Sequence, residues 1–308
     1  MQRYKALGFV LLLGFLYGST LVVSRFSVGQ YAPLTYISLR LALATCGYVF
    51  LFALNKEKRW PTDWRLWVKA SILGLIGTAI PMVGMVSSLQ YLSSGVASLL
   101  ITLAPGVTVI LAQFFLADEQ LTFLKASGVL IAFMGAGFLL LRGESGLAEF
   151  ASADWRGYAW NSLGLLFGGG SVVYSRRFLR HEDMWDVSSV RMLSAAVAVI
   201  VATTFTVGFD MQKVTAVGYG ALVYAAIAGT FCGMWLNFYI VKNFGATSAT
   251  QVSYVLPVIS TILGAVVLGE RITSAMLVGM TIIFAGLTLL NWRGAGAVVS
   301  KKVSAVRG

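Results

Sequence analysis

The sequence predicts an all-α integral membrane protein with ten transmembrane helices, built from two inverted five-helix repeats. Hydrophobic residues make up 58% of its 308 residues and charged residues only 11%, against about 45–50% and about 25% in a soluble globular chain. The charges stand in short clusters and leave apolar runs of about 20 residues, the length that spans a bilayer core of about 30 Å. The second half of the chain also repeats features of the first half, at a shift of 151 to 152 residues.

Ten apolar runs account for most of the chain, and each predicts one helix. The first run follows Arg3 and Lys5 as a secretory signal would, but it is longer than a signal core and lacks an A-x-A cleavage site, so we interpret it as helix one. The runs lie at residues 6–25, 34–54, 67–90, 95–116, 122–141, 157–176, 187–207, 214–241, 246–268 and 272–291. They divide the chain into a first repeat at 1–142, a non-cytoplasmic linker at 143–155, a second repeat at 156–292 and a basic cytoplasmic tail at 293–308.

The repeat is visible residue by residue. A shift of 152 residues places Gly77, Thr78, Met82, Ala97 and Pro105 on Gly229, Thr230, Met234, Ala249 and Pro257. A shift of 151 residues relates a further set, which includes Arg40 with Arg191 and Glu119 with Glu270. Because each half holds five spans, an odd number, the second half enters the membrane from the opposite side, and the pseudo-twofold axis lies in the membrane plane.

Positive charge is distributed unevenly between the two predicted sides of the membrane. The side that carries both termini has 17 Lys and Arg residues, the other side has five, and Arg40 lies inside helix two. The positive-inside rule therefore predicts that both termini are cytoplasmic, in a multi-pass protein of the plasma (inner) membrane. We attribute the formal charge of +11 to topology and to contact with membrane lipids, and we expect no nucleic-acid partner.

Glycines spaced at helical intervals predict close helix packing. Helix one carries Gly14-x-x-x-Gly18 and helix six carries Gly164-x-x-x-Gly168, a spacing that lets helix backbones approach in lipid. The run at 168–171 resembles a phosphate-binding loop, but it lacks the preceding strand and the Lys-Ser/Thr ending of such loops. A seven-residue glycine spacing in helices five and ten (128/135 and 279/286) leaves two possibilities open, packing within the chain or a homodimer.

Two arginines and two glutamates are placed at equivalent positions of the two repeats. Arg40 is predicted near the outer face and Arg191 near the inner face, and a charge inside a span needs water, a carbonyl or a carboxylate. Glu270 starts helix ten outside and Glu119 starts helix five inside. One hypothesis is that Arg40–Glu270 and Arg191–Glu119 act as gates across the halves. The alternative is that each glutamate caps its own helix and each arginine extends to the lipid headgroups.

Polar residues at mid-span predict a cavity. Helix eight carries Trp235, Asn237 and Tyr239, for which lipid-facing or structural roles are the alternatives to binding a solute. Helices four and nine carry polar residues and prolines at steps of three, which keeps them on one helix face; these are Thr102, Pro105, Gln251, Tyr254 and Pro257. Prolines inside spans bend the helix, and membrane proteins tolerate such bends next to a cavity.

These features together resemble the EamA-type repeat of the drug/metabolite transporter superfamily, over residues 7–292. The resemblance rests on a set of short matches, namely Tyr17-Gly18-Ser19, Pro33 to Arg40, Gly77-Thr78, Ala97 to Pro105, Asp118-Glu119, Gly128 to Gly135 and Gly269-Glu270-Arg271. Similar proteins are ten-span transporters, commonly exporters of amino acids and other small metabolites that bind centrally between the halves. The resemblance thus adds Tyr17 and Ser19 to the candidate substrate-binding residues.

The sequence offers little of the chemistry that a membrane-embedded enzyme needs. The only histidine, His181, lies in a charged loop, and the two cysteines lie in separate spans, so we expect no catalytic residue, metal site or cofactor. All 12 acidic residues lie in loops or at span ends, whereas a polyspecific cation exporter uses a buried acid to exchange protons. A neutral, zwitterionic or anionic solute fits better, by proton coupling or by facilitated diffusion.

The sequence therefore predicts a secondary transporter, an exporter of small metabolites such as amino acids, that works by alternating access around a polar cavity. The alternative is an uptake or facilitative carrier for an organic anion or a sugar-type metabolite. A membrane scaffold or a channel is the rival class, but alternating access explains two inverted halves and scaffolding does not.

Overall fold

The structure, a computed structural model, describes residues 2–54, 60–116, 121–147 and 154–292, and the regular structure within these ranges is helical throughout. The first half contains α1 (Gln2–Ser27), α2 (Pro33–Leu54), α3 (Trp64–Ser88), α4 (Ser94–Phe115) and α5 (Phe123–Leu141). The second half contains α6 (Trp155–Phe178), α7 (Met184–Thr206), α8 (Ala216–Phe244), α9 (Ser248–Leu268) and α10 (Ser274–Asn291). Each predicted run corresponds to one of these helices.

Short polar side chains determine where several helices begin. The Asp63 carboxylate accepts a hydrogen bond from Arg65 N at 2.9 Å at the start of α3, and Asp183 accepts one from Trp185 N at 2.8 Å at the start of α7. Such residues satisfy backbone N–H groups that have no partner inside the helix. Hydroxyl or carboxylate caps also begin five further helices, at Ser93, Thr122, Asp154, Thr215 and Thr273.

Eight of these helices are long and apolar enough to cross a membrane, which confirms an all-α membrane fold. The remaining two, α2 with 22 residues and α6 with 24 residues, reach about 33 Å or more at 1.5 Å per residue but are not among the eight. The predicted count of ten spans is therefore not confirmed. Large apolar side chains project outward from several helices, among them Leu141, Phe205 and Val266, each more than three-quarters exposed, as expected of a surface that faces lipid.

The packing of the helices follows the repeat. Helix α1 packs on α9, and the equivalent pair α6 and α4 packs in the same way. Helix α3 packs on α6 and α7, while the equivalent α8 packs on α1 and α2. Three pairs map onto themselves, namely α2 with α7, α4 with α9 and α5 with α10. All of these pairs join the two halves, so each half packs against helices of the other.

Glycines lie at the closest of these contacts, as predicted. A Cβ on Gly18 would lie 2.9 Å from Ile259 of α9, and one on Gly164 would lie 2.9 Å from the carbonyl oxygen of Pro81 in α3. Gly168 has nothing within 4 Å, so the second predicted pair packs through Gly164 alone. The glycines of α5 and α10 pack against each other; a Cβ on Gly128, for example, would lie 2.8 Å from Gly286 O. The seven-residue spacing therefore serves packing within the chain.

Candidate functional site

A cavity of about 490 Å³ lies between the two halves. Helices α1, α2, α3, α7 and α8 form most of its wall, with single residues from α4 and α9. The polar and aromatic side chains that line it are Tyr17, Thr20, Arg40, Tyr48, Thr78, Trp185, Ser188, Arg191, Thr230, Phe231, Trp235, Asn237 and Phe238. The volume is in the range of about 300–1,000 Å³ that is typical of small-molecule sites.

Arg40 of α2 is buried in this cavity and held by α8 and α1. Its side chain is only 5% exposed. The guanidinium donates from Nε to Thr230 Oγ1 at 2.8 Å and from Nη1 to Ser24 Oγ at 3.2 Å. Ser24 in turn shares a hydrogen bond of 3.2 Å with the hydroxyl of Tyr36. These contacts fix the plane of the guanidinium without a carboxylate.

Arg191 of α7 makes the equivalent contacts in the other half. It donates from Nε to Thr78 Oγ1 at 2.7 Å and from Nη2 to Gly77 O at 2.5 Å. The shift that relates Arg40 to Arg191 and the shift that relates Thr78 to Thr230 differ by one residue. The two contacts are thus equivalent in the repeat. The arginine of each half binds the threonine of the other half, and all four residues line one cavity.

Both threonines lie in π-helical segments. Thr78 is in Leu75–Ala79 within α3, and Thr230 is in Ala225–Cys232 within α8. Such turns interrupt the regular ladder of hydrogen bonds and occur frequently at functional sites. The neighbouring glycines are required by packing, because a Cβ on Gly77 would lie 2.7 Å from Ser171 and one on Gly229 would overlap Thr20.

The electrostatic character of the cavity is positive. Arg40 and Arg191 both line it, and none of the described acidic residues does. The sequence pattern places these arginines near opposite faces of the membrane, whereas in the structure both line one cavity. The reason is that each arginine turns toward the π-helical segment of the other half.

Five of the predicted site residues line the cavity, namely Tyr17, Trp235, Asn237, Arg40 and Arg191. Ser19 does not line it, because its hydroxyl bonds Phe15 O at 2.6 Å and the hydroxyl of Tyr224 at 2.7 Å. Thr102, only 2% exposed, donates to Leu99 O at 2.6 Å within its own helix.

Tyr239, Gln251 and Tyr254 also lie away from the cavity. The Tyr239 ring packs 5.2 Å from the ring of Phe9, and Gln251 is exposed. Tyr254 packs its ring 5.4 Å from that of Phe284. The spacing on α9 predicts a cavity-facing stripe, but Tyr254 faces α10 and Gln251 faces the surface.

The two prolines that were predicted to bend helices have different surroundings. In α4 the helix is interrupted at Thr102 and Leu103 and resumes at Ala104–Phe115, with Pro105 at its second position. In α9 Pro257 lies inside the continuous segment Val252–Leu268. The break in α9 comes earlier, at Gln251.

The predicted gate pairs are not formed among the described residues. Glu270 lies at the start of α4, where its carboxylate accepts from Ser94 N at 2.9 Å and Ser94 Oγ at 2.7 Å. Glu270 therefore caps α4, a helix of the other half, while Thr273 caps α10. Burial raises the pKa of the Glu270 carboxyl, and the hydrogen bonds from Ser94 oppose that rise. Glu119, the partner proposed for Arg191, lies outside the described residues.

The described part of the linker reinforces this end of the molecule. The Glu144 carboxylate accepts from Thr273 Oγ1 at 2.6 Å and from Gly146 N at 3.0 Å. Gly146 O accepts from Arg271 N at 2.9 Å, and Ser145 O accepts from Ser93 N at 2.8 Å. The predicted non-cytoplasmic ends of α4, α5 and α10 are therefore joined by one hydrogen-bonded network.

Sequence reasoning missed several cavity residues, above all Thr78 and Thr230, with Thr20, Tyr48, Trp185 and Ser188. A signal for the threonines was present, because Gly77-Thr78 repeats as Gly229-Thr230 and Arg40 repeats as Arg191. Repeated polar residues in two different helices of one half are candidates for a contact across the halves. The other residues carry no such signal.

The fold and the cavity define a membrane protein of two repeated halves that share one central site. The chain belongs to the EamA-like transporter family, which it matches twice, at residues 4–141 and 155–292. This confirms the duplication and the resemblance to the drug/metabolite transporter superfamily.

Individual relatives agree with this assignment. The chain is 26% identical over 301 residues to the uncharacterized inner membrane transporter YedA of Escherichia coli K12, covering 94% of this chain and 92% of the relative. It is 27% identical over 208 residues to a probable terminal-alkyne amino-acid exporter of Streptantibioticus cattleyicolor, covering 67% of each chain. A crystal structure with 22% identity, covering 91% of this chain and 94% of that one, has a TM-score of 0.63 and supports the fold.

Proposed function

We propose that this transporter exports small metabolites such as amino acids by alternating access around the central cavity. The observation that carries the proposal is the cross-half contact of Arg40 with Thr230 and of Arg191 with Thr78 in one cavity. A carrier needs a site that both halves share, because movement of one half against the other then exposes it to each side in turn.

We also infer which side of the membrane the cavity faces in this structure. Met184 and Trp185 at the start of α7 and Val241 near the end of α8 line the cavity, and the predicted topology places these helix ends on the cytoplasmic side. The network around Glu270 and Glu144 lies at the opposite, non-cytoplasmic end. We infer an inward-facing state, in which a solute enters from the cytoplasm.

The name of the Streptantibioticus cattleyicolor relative favours an amino-acid substrate. We further propose that the chain is not an enzyme, that it lies in the inner membrane with both termini cytoplasmic, and that its partners are its solute and the surrounding lipids. An uptake or facilitative carrier for an organic anion is the second candidate, which the two arginines favour. A homodimer stays a prediction.

Reconstitution of the purified chain in liposomes tests this function. We expect saturable counterflow of a labelled amino acid or organic acid that unlabelled solute on the other side accelerates. Thr230→Val, which removes the acceptor of Arg40 Nε, should slow it. Thr281→Val at an exposed position of α10 is the matched control and should leave it unchanged. Linear, unsaturable flux would instead indicate a channel, and absence of flux for every class of metabolite would overturn the proposal.

A further inference from the structure

The cavity holds two positive charges and no described negative charge. Arg40 and Arg191 bind threonine, serine and backbone oxygens, and neither forms an ion pair with a described carboxylate. A guanidinium does not lose its proton in proteins. The two positive charges therefore persist at every physiological pH. A negatively charged solute bound in the cavity would compensate them.

The way in which each guanidinium is held leaves donors available to such an occupant. Arg40 donates from Nε and Nη1, whereas Arg191 donates from Nε and Nη2. A guanidinium carries five N–H donors, so these contacts occupy only part of each set. Because they orient each planar group, the remaining N–H donors are pre-organised, as in sites that bind carboxylates through paired N–H groups.

The remaining lining carries no charge among the described residues. Tyr17, Thr20, Tyr48 and Asn237 contribute hydroxyl and amide groups, and apolar residues complete the wall. Arg40, Arg191 and Tyr17 line the same cavity, which places both guanidiniums around a shared volume. An ammonium group in that volume would meet two like charges, and like charges in a desolvated site repel strongly.

We propose that the preferred substrate is a small organic dianion with two carboxylates, one compensating Arg40 and the other Arg191. This proposal rests on the transport function proposed above and narrows its substrate class. A neutral zwitterion such as leucine compensates one arginine and adds an ammonium. An acidic amino acid carries the same two carboxylates with one ammonium and should rank between the two classes. A polyamine should be excluded.

Competition in counterflow with the intact, reconstituted chain tests the proposal without any variant. The panel is succinate, glutamate, glutamine, inorganic phosphate and putrescine, of which glutamate and glutamine differ by one carboxylate at nearly equal size. We expect succinate to compete best, glutamate to compete about tenfold better than glutamine, and putrescine not to compete. Phosphate carries a double negative charge on one group, whereas succinate carries two separate carboxylates. If phosphate competes better than succinate, the dicarboxylate proposal is overturned.

Substitutions test whether the two arginines bind the carboxylates of the substrate. Arg40→Gln and Arg191→Gln should each weaken succinate competition about 10- to 100-fold, the range for loss of a charged hydrogen-bond partner, while glutamine competition changes little. Arg156→Gln is the matched control, because its side chain is 63% exposed on α6. Should Arg40→Gln not fold, Thr230→Val keeps the charge and releases its anchor, and should again weaken succinate selectively.

Two failures are distinguishable. Saturable exchange of glutamine that succinate does not inhibit would overturn the dianion proposal and leave the transport function standing. Absence of saturable exchange for every solute of the panel and for further amino acids would overturn both.

Discussion

The contact between α5 and α10 can be tested by adding a single methyl group. In Gly286→Ala the new Cβ would overlap Ala132 N and lie 2.6 Å from Gly128 O, while ordinary contact begins at 3.4 Å. The helices must therefore separate by at least 3.4 − 2.6 = 0.8 Å, because both obstacles are backbone atoms. Overpacking of this kind costs about 1–3 kcal/mol, which corresponds to a loss of roughly 3–10 °C in Tm.

The assay is the temperature at which half of the detergent-solubilised protein loses its monodisperse peak in size-exclusion chromatography. Gly137→Ala is the matched control on α5, since its Cβ would have nothing within 4 Å, and its Tm should stay unchanged or rise slightly. The double variant of Gly128 and Gly286 should lose less than the sum of the single losses, because one separation accommodates both methyl groups. A Tm for Gly286→Ala equal to that of Gly137→Ala would refute close backbone packing between α5 and α10.

Three further predictions concern the polar network, the buried core and the site. Burial raises the pKa of the Glu270 carboxyl, so the folded state disfavours its ionised form. The Tm of the wild type relative to that of Glu270→Gln should therefore fall as pH rises from about 4.5 through the raised pKa. A Tm difference that does not change with pH would contradict this. Asn161 donates to Ser88 Oγ at 3.2 Å and Ala97 O at 3.3 Å, so Asn161→Asp, which removes these amide donors and buries a carboxyl, should lower Tm by several degrees. Asn237→Ala should change which solutes compete in counterflow whereas Tyr254→Ala should not, and the reverse result would place the site on α9.

The sequence predicted the class of fold and its duplication because both depend on simple physical patterns. Apolar runs of bilayer length and the placement of Lys and Arg are read directly from composition along the chain. The glycines at which α5 and α10 meet were visible as repeated pairs, Gly128 with Gly279 and Gly135 with Gly286. Sequence alone leaves that packing open between an internal and an intermolecular contact, because spacing does not say which surface covers a glycine.

The site was predicted only in part because depth in the membrane and direction around a helix are different quantities. Gln251 and Tyr254 have the right depth, yet α9 turns them away from the cavity. Arg40 and Arg191 each have a glutamate of opposite charge on the same predicted face of the membrane. In the structure, however, each arginine donates a hydrogen bond to a threonine in a π-helical segment. No local sequence pattern indicates where those segments occur.

The proposed alternating access depends most directly on two halves inserted in opposite directions, and sided labelling measures this. Single cysteines at Thr62, His181 and Gln212, all exposed positions, would be introduced after replacement of Cys46 and Cys232. With a membrane-impermeant maleimide in intact cells and inverted vesicles, we predict that positions 62 and 181 label from the cytoplasmic side and position 212 from the other side. Labelling of 62 and 181 from opposite sides would contradict the inverted repeat and the transport mechanism built on it.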